Sequence, residues 1–231
     1  MTAYEALQGK FKAEVSFRPF FKIEPLSSRE FREQRINLPD YTAIIFSSRH
    51  AIDAYFKLAE DLRFKVPETM KYFCSTELVA NYLQKHIVFR KRKIFFGDGT
   101  SESVVALIGP KHKGEKFLLT KSAGANVDHM KSLLDKAGID YSDAELVKSV
   151  TQDLHDLDLS TYDIIALYNP ADVKSLRENF PEFKQGNVKF VGWGRSIVPA
   201  MEEAGLNTDI QGPTPEAPSV ARAIELYLQS K

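Results

Sequence analysis

Short β-branched or aromatic runs alternate along the chain with stretches whose apolar residues recur at helical spacing. AIIF (43–46) and DIIALY (163–168) are of the first kind; Ile52, Tyr55, Phe56, Ala59 and Leu62 are of the second. Such alternation predicts parallel sheets with crossover helices. Runs that are apolar throughout suit sheets covered on both faces. Strands are expected at Glu14–Phe20, Thr42–Phe46, Lys71–Cys74, Lys93–Phe96, Lys116–Thr120, Ala144–Val150, Asp163–Tyr168, Val188–Trp193 and Asp209–Gln211.

The pattern also occurs twice in the same order. YTAIIFSSRHAIDAYF (Tyr41–Phe56) aligns without a gap on YDIIALYNPADVKSLR (Tyr162–Arg177). MKYFCSTELVANYL (Met70–Leu83) aligns on VKFVGWGRSIVPAM (Val188–Met201). The plain explanation is that any two βα units look alike. Two matches in order, at nearly constant offset, favour a duplicated unit and hence two similar α/β domains. Two such domains leave a cleft, and ligands of parallel sheets sit at the carboxyl ends of the strands. That selects the turns Ser47–Arg49, Ser75–Glu77, Gly97–Ser101, Thr120–Gly124, Tyr168–Ala171 and Gly192–Ser196.

Several chemistries lack a signature. No GxGxxG follows a strand, and there is no GxxxxGK[ST]. Gly97-Asp98-Gly99 reads as a turn before a helix capped by Thr100 or Ser101. The five histidines are scattered, and Cys74 is the only cysteine, so neither a metal set nor an internal disulfide is expected. His155-Asp156 lies in the polar stretch TQDLHDLDLS and reads as a solvated linker. The basic run 89–93 leads into a strand and reads as a charged edge rather than a nucleic-acid patch. Across 231 residues, 43% are hydrophobic and 27% charged with zero formal net charge. That balance gives no global pull toward nucleic acid or membrane. No apolar run spans a bilayer, and MTAYEALQGKFKAEV has no apolar signal core, so a cytoplasmic protein is expected. The turns instead carry hydroxyls, helix starts and the cations Arg49, Lys121 and Arg195. Together these suit a large ligand bearing carboxylates or phosphates.

Taken together, the stretches YTAIIFSSRHAIDAYF, YDIIALYNPADVKSLREN, the helix within Gly194–Gly205 and the tail TDIQGPTPEAPSVARAIELYL resemble the uroporphyrinogen-III synthase family. That family has a strand ending in Phe-Thr-Ser or Phe-Ser-Pro before a helix, a Gly-x-x-Thr-Ala-type turn, and a Pro-Thr-x-x-x-Leu-type motif opening its last helix. VPETMKYFC, RKRKIFFG and PTPEAPS are similar to a Bacteroidetes-type branch. The resemblance implies two HemD-like, flavodoxin-like α/β domains with parallel sheets, joined by a two-stranded linker. An outer domain of residues 1–21 and 150–231 would hold an inserted inner domain of residues 22–149. PFFKIEPL and AELVKSV would be the linker strands.

The reaction implied is closure of the linear tetrapyrrole hydroxymethylbilane, with loss of water and inversion of ring D, without a cofactor. The substrate readily loses hydroxide to leave an azafulvenium cation, so the work left to the protein is orientation and electrostatics. On this resemblance Ser47, Ser48, Arg49, Thr76, Thr120 and Lys121 of the inner domain are expected to bind carboxylates. Asn169, Gly194, Arg195 and Ser196 are expected to do so on the outer domain, with helix capping alone the equal alternative for Asn169 and Ser196, and Tyr168 is the candidate acid. A monomer is expected, with transient contact to hydroxymethylbilane synthase.

The sequence departs from the family in three places. The family opens on a strand of type ILVTRP, central in a sheet ordered 2-1-3-4-5. This chain opens on the helix that follows, MTAYEALQGKF, so a shortened or misassigned start is expected, with a genuine shift in strand pairing as the alternative. A tyrosine of the family's linker strand is replaced at Val147, which has no proton to donate; Lys148, its neighbour, points to the opposite face. The family's Gly-Pro-Thr-Thr-Ala becomes Gly194-Arg195-Ser196-Ile197-Val198, with one hydroxyl kept and a cation gained. An alternative reading follows: a relative that kept the fold as an anion-binding module and lost turnover. An unrelated flavodoxin-like pair ranks last, for want of a flavin or nucleotide fingerprint.

Overall fold

The computed structural model describes residues 4–230, which form two compact units, one of residues up to Lys22 plus Val150 onward and the other Ile23–Ser149. The expected α/β class is what forms. In the Ile23–Ser149 unit the strands β2 (Ala43–Phe46), β3 (Lys71–Cys74), β4 (Ile94–Phe96), β5 (Lys116–Ser122) and β6 (Asp140–Thr151) lie in one sheet with β1 (Phe21–Pro25). Its order is β1-β6-β5-β2-β3-β4. From β6 across to β4 every pairing is parallel. The Leu26 amide donates to the Leu146 carbonyl and the Gln152 amide to Phe20, so β1 runs antiparallel to β6. The pair β1 and β6 is the link between the units.

Helices cover both faces of this sheet because its central strands are apolar on both. All four residues of β2 are buried. Ile44, Phe46, Tyr72 and Cys74 face one core with Tyr55, Leu58 and Ala80 from α3 (Arg49–Asp61) and α4 (Glu77–Tyr82). Ala43, Ile45 and Phe73 face the other with Val104, Ile108 and Leu134 from α5 (Ser101–His112) and α6 (Asp128–Ala137). Alternate residues pointing to opposite faces make this two-sided burial possible. β4 is the exposed edge, and Arg90, Lys91 and Arg92 sit in the turn before it, where charge discourages edge pairing.

The other unit has a smaller sheet, β7 (Ile164–Leu167), β8 (Lys189–Trp193) and β9 (Ile210–Gly212), ordered β7-β8-β9 and parallel throughout. α7 (Pro170–Asn179) and α8 (Ile197–Glu203) pack with Leu167 and Phe190 on one face. α9 (Val220–Gln229) packs with Val191 and Ile210 on the other. The helix α1 (Glu5–Phe11) is pinned to α9 by Lys10, whose ammonium lies 2.8 Å from Glu225. Here the expected strand Glu14–Phe20 does not form. Residues 12–19 join no sheet, and the ladder starts one step later, at Phe21. A strand exists only where a partner takes its amides, and Pro19 has none to offer. β6 in turn extends well before its expected start at Ala144, because β5 pairs with it from Lys116–Asp140 onward.

Candidate active site

The duplicated turns invite a residue-by-residue comparison. In the Ile23–Ser149 unit most expected ligand-binding groups are already engaged. Ser48 is the N-cap of α3, its hydroxyl accepting from the Ala51 amide at 3.1 Å. Thr76 caps α4 in the same way, accepting from Val79 at 3.3 Å. Thr120 is 2% exposed and its hydroxyl donates to the Ile45 carbonyl at 2.7 Å. That hydroxyl ties β5 to β2 and is closed to a ligand. The Lys121 ammonium lies 2.7 Å from Asp143 and 3.9 Å from Glu145. Lys131 reaches the same Asp143 at 2.9 Å. Burial would raise the Asp143 carboxyl, but the two ammonium groups hold it below its ordinary range. Lys121 is therefore already ion-paired within its own sheet.

Ser47 and Arg49 are the exposed members of this set. The Arg49 guanidinium lies 5.6 Å from the centre of the Tyr82 ring, a cation–π contact that steers it without neutralising it. The Tyr82 hydroxyl donates to Asp53 at 2.7 Å, so the platform under Arg49 is itself anchored. The GDG turn behaves as a capped turn: Thr100 caps α5 and donates to Asp98. Val147 is 2% exposed within the core, and Lys148 on the other face lies 2.5 Å from Glu30.

In the other unit, Asn169 aligns with Ser48 and does the same job, capping α7 through the Ala171 amide at 2.8 Å. Asp172 completes a capping box by accepting from the Tyr168 and Asn169 amides. Burial raises the Asp172 carboxyl, against the pull of those two amides. Tyr168 is 48% exposed, and its hydroxyl lies 3.1 Å from that of Tyr4. Burial, and then the Tyr4 hydroxyl, push its phenol above the ordinary tyrosine range. Tyr168 thus keeps its proton at neutral pH.

The turn after β8 differs from its counterpart after β3. Thr76 is replaced by Gly194, whose φ of 103° favours glycine. The Gly194 amide is taken by the Gly212 carbonyl at 2.7 Å. Ser196 precedes α8 but makes no capping bond. Arg195 and Ser196 are both exposed, and neither side chain has a partner among the described residues. Gly192 lets this turn sit close to its helix: a Cβ there would lie 2.8 Å from Thr208 and 3.2 Å from Ile197.

Tyr4, Asp172, Asp143 and Tyr82 are absent from the residues singled out by sequence. The Asn169-x-x-Asp172 spacing is a readable capping-box signal. Tyr4 and Tyr168 are 164 residues apart and carry no such signal. Among the described residues, no group of three His, Cys, Asp or Glu could hold a metal ion. No described helix is long and apolar enough to cross a membrane.

No curated protein matches the sequence. Two solved structures share its fold. One is a mutant uroporphyrinogen III synthase from the extremely thermophilic bacterium Thermus thermophilus, 17% identical, with a TM-score of 0.55 over 100% of this chain and 95% of that one. The other is uroporphyrinogen-III synthetase from Helicobacter pylori, 18% identical, with a TM-score of 0.56 over 92% and 91%. The family model described as uroporphyrinogen-III synthase HemD matches residues 2–222, nearly the whole length. The chain belongs to the uroporphyrinogen-III synthase HemD family.

Proposed function

We propose that Arg195 and Ser196, at the carboxyl end of β8, are the main carboxylate-binding groups of this chain. The reaction they serve is the family's: the chain is a cofactor-independent lyase that closes hydroxymethylbilane to uroporphyrinogen III, losing water and inverting ring D. The observation carrying the proposal is that the Arg195 side chain has no partner among the described residues while sitting in a turn at the end of a parallel strand.

The chemistry asks for orientation, stabilisation of a cation and exclusion of the uninverted closure. A guanidinium grips a carboxylate through two parallel bonds, fixing direction as well as position. Arg49, aimed by Tyr82, is the corresponding cation of the other unit, with Ser47 beside it. Ser48, Thr76 and Asn169 shape their turns as caps, and Gly194 supplies the backbone bend. Thr120 serves the sheet, and Lys121 adds a screened positive potential. Tyr168 and Tyr4 form a hydroxyl pair that donates a hydrogen bond toward the departing hydroxide. Bends and caps held by short-range bonds cost little reorganisation during turnover.

The test generates hydroxymethylbilane in situ with its synthase and resolves the isomers after oxidation. Uroporphyrin III above the spontaneous background is the expected product. Isomer I alone would reject turnover and leave an anion-binding module. Arg195→Ala separates the site from the activity: the fold should persist while isomer III falls. Isomer III unchanged in that variant would remove Arg195 from the site.

The finer partners follow the same reading. The neutral composition and lack of heptads support a monomer that receives its unstable substrate by transient contact with hydroxymethylbilane synthase. Sedimentation with and without that enzyme reads both points. A lone buried thiol, Cys74, supports the reducing cytoplasm as its location.

A further inference from the structure

The Ile23–Ser149 unit carries a cavity of about 170 Å³ at the amino ends of β3 and β4, opposite the turns discussed above. Val66, Met70, Ile87 and Ile94 make its apolar wall. An apolar cavity of about 150 Å³ accommodates benzene, so one aromatic ring fits.

Two further observations give this cavity a chemical preference. The first is Tyr72, which lines it while being 3% exposed. Its ring lies against Phe46 and Phe56, yet its hydroxyl has no hydrogen-bond partner among the described residues. Among the described residues, the fully enclosed side-chain atom without a partner is His112 Nδ1, so the Tyr72 hydroxyl keeps some open surface, on a residue that lines the cavity. A buried hydroxyl without a partner is costly until it meets one. The second observation is the rim. Lys93 lines the cavity with no ion-pair partner among the described residues. Arg90 lies 3.5 Å from Glu68, a loose contact with side chains 43% and 82% exposed. Two cations against one acid leave the rim positive.

We propose that this cavity binds a small aromatic carboxylate with a second polar atom across its ring. The ring lies against Met70, Ile87 and Ile94. The carboxylate meets Lys93 and Arg90, and the far polar atom takes the Tyr72 hydroxyl. The site stands apart from the tetrapyrrole-binding turns and does not depend on their assignment.

The probes are 4-hydroxybenzoate and benzoate, titrated into the full ¹⁵N-labelled chain, with hexanoate as a ringless carboxylate. Saturable binding with a Kd of roughly 0.1–1 mM is expected, with amide shifts around Met70 and Ile94. 4-Hydroxybenzoate should bind about five-fold tighter than benzoate, and Tyr72→Phe should erase that difference. Lys93→Glu, a substitution at the rim, should weaken both by about five-fold or more. Hexanoate should bind more weakly than either. The proposal fails if neither aromatic saturates, if the shifts map elsewhere, or if Lys93→Glu leaves both affinities unchanged. Equal affinity of the two aromatics in the unsubstituted chain would remove Tyr72 from the site. Should Tyr72→Phe unfold, Lys93→Glu and the comparison of the two aromatics still decide.

Discussion

Two turns of like sequence pattern, one in each unit, have been put to opposite uses. After β3, Thr76 caps α4, and its hydroxyl is spent on the Val79 amide. After β8, the aligned position is Gly194, the helix starts uncapped, and Arg195 and Ser196 reach no partner among the described residues. The first turn stabilises its helix by satisfying a terminal amide. The second leaves the Arg195 and Ser196 side chains exposed to solvent. The turns after β2 and β7 are closer twins, because Ser48 and Asn169 both cap. Even there the neighbouring residues diverge: Ser47 is a plain exposed serine, whereas Tyr168 is held by Tyr4. A shared strand–turn–helix pattern therefore says where a ligand could sit. The hydrogen-bond inventory says which turn has anything left to offer it.

This contrast can be broken experimentally, and the largest effect is expected at the free cation. Arg195→Ala should lower kcat/KM for uroporphyrinogen III formation by about 10- to 100-fold, the loss of one charge-assisted contact. Its urea midpoint should not move. Arg49→Ala, whose guanidinium already rests on Tyr82, should cost less, and equal losses would erase the distinction between the two turns.

Packing behind the open turn comes next. A Cβ at Gly212 would fall inside the Trp193 indole. Gly212→Ala should cost about 1–3 kcal/mol of stability from overpacking, read by denaturant unfolding. A neutral result would mean that the indole is free to swing away.

The caps should then behave oppositely to Arg195. Thr76→Ala and Ser48→Ala should each cost about 1 kcal/mol of stability with little change in kcat. A large kcat loss at unchanged stability would move these hydroxyls from capping to ligand contact.

The smallest expected effect is a pH dependence confined to the larger unit. His112 is 6% exposed, packed against Phe73 and Phe95, with Nδ1 unpartnered. Burial first, then Lys71 and Lys111, lower its pKa, and Glu115 opposes them. The folded state therefore resists protonation more than the unfolded chain. Stability should fall as pH drops through the ordinary histidine range near 6.5, and stop falling below the lowered folded value. Unfolding curves of His112→Phe should lack that step. If they keep it, the dependence arises elsewhere.

Much of the fold was legible because it rests on local pattern. The Lys71–Cys74 strand forms as expected, and AIIF is buried along its length, since an all-apolar strand can only sit between two helical layers. The Asn169 cap could be read the same way, from a side chain and an amide two residues apart. Long-range choices were not legible. Glu14–Phe20 alternates as a strand does, yet forms none, because a ladder depends on a neighbour that no local spacing announces. Lys121 looked like a free cation until β5 and β6 paired and brought Asp143 beside it. Thr120 looked like a cleft hydroxyl until the β2–β5 register placed it on Ile45.

By itself the sequence determined the alternation of strands and helices, the repeated turn and, through the family pattern spread over residues 2–222, the chemistry. Periodicity and capping act within a few residues, so they survive in a one-dimensional reading. Tertiary structure alone decided which polar groups were consumed and which stayed free. That depends on strands and helices distant in the chain meeting at hydrogen-bond range, where a shift of an ångström makes or loses a partner.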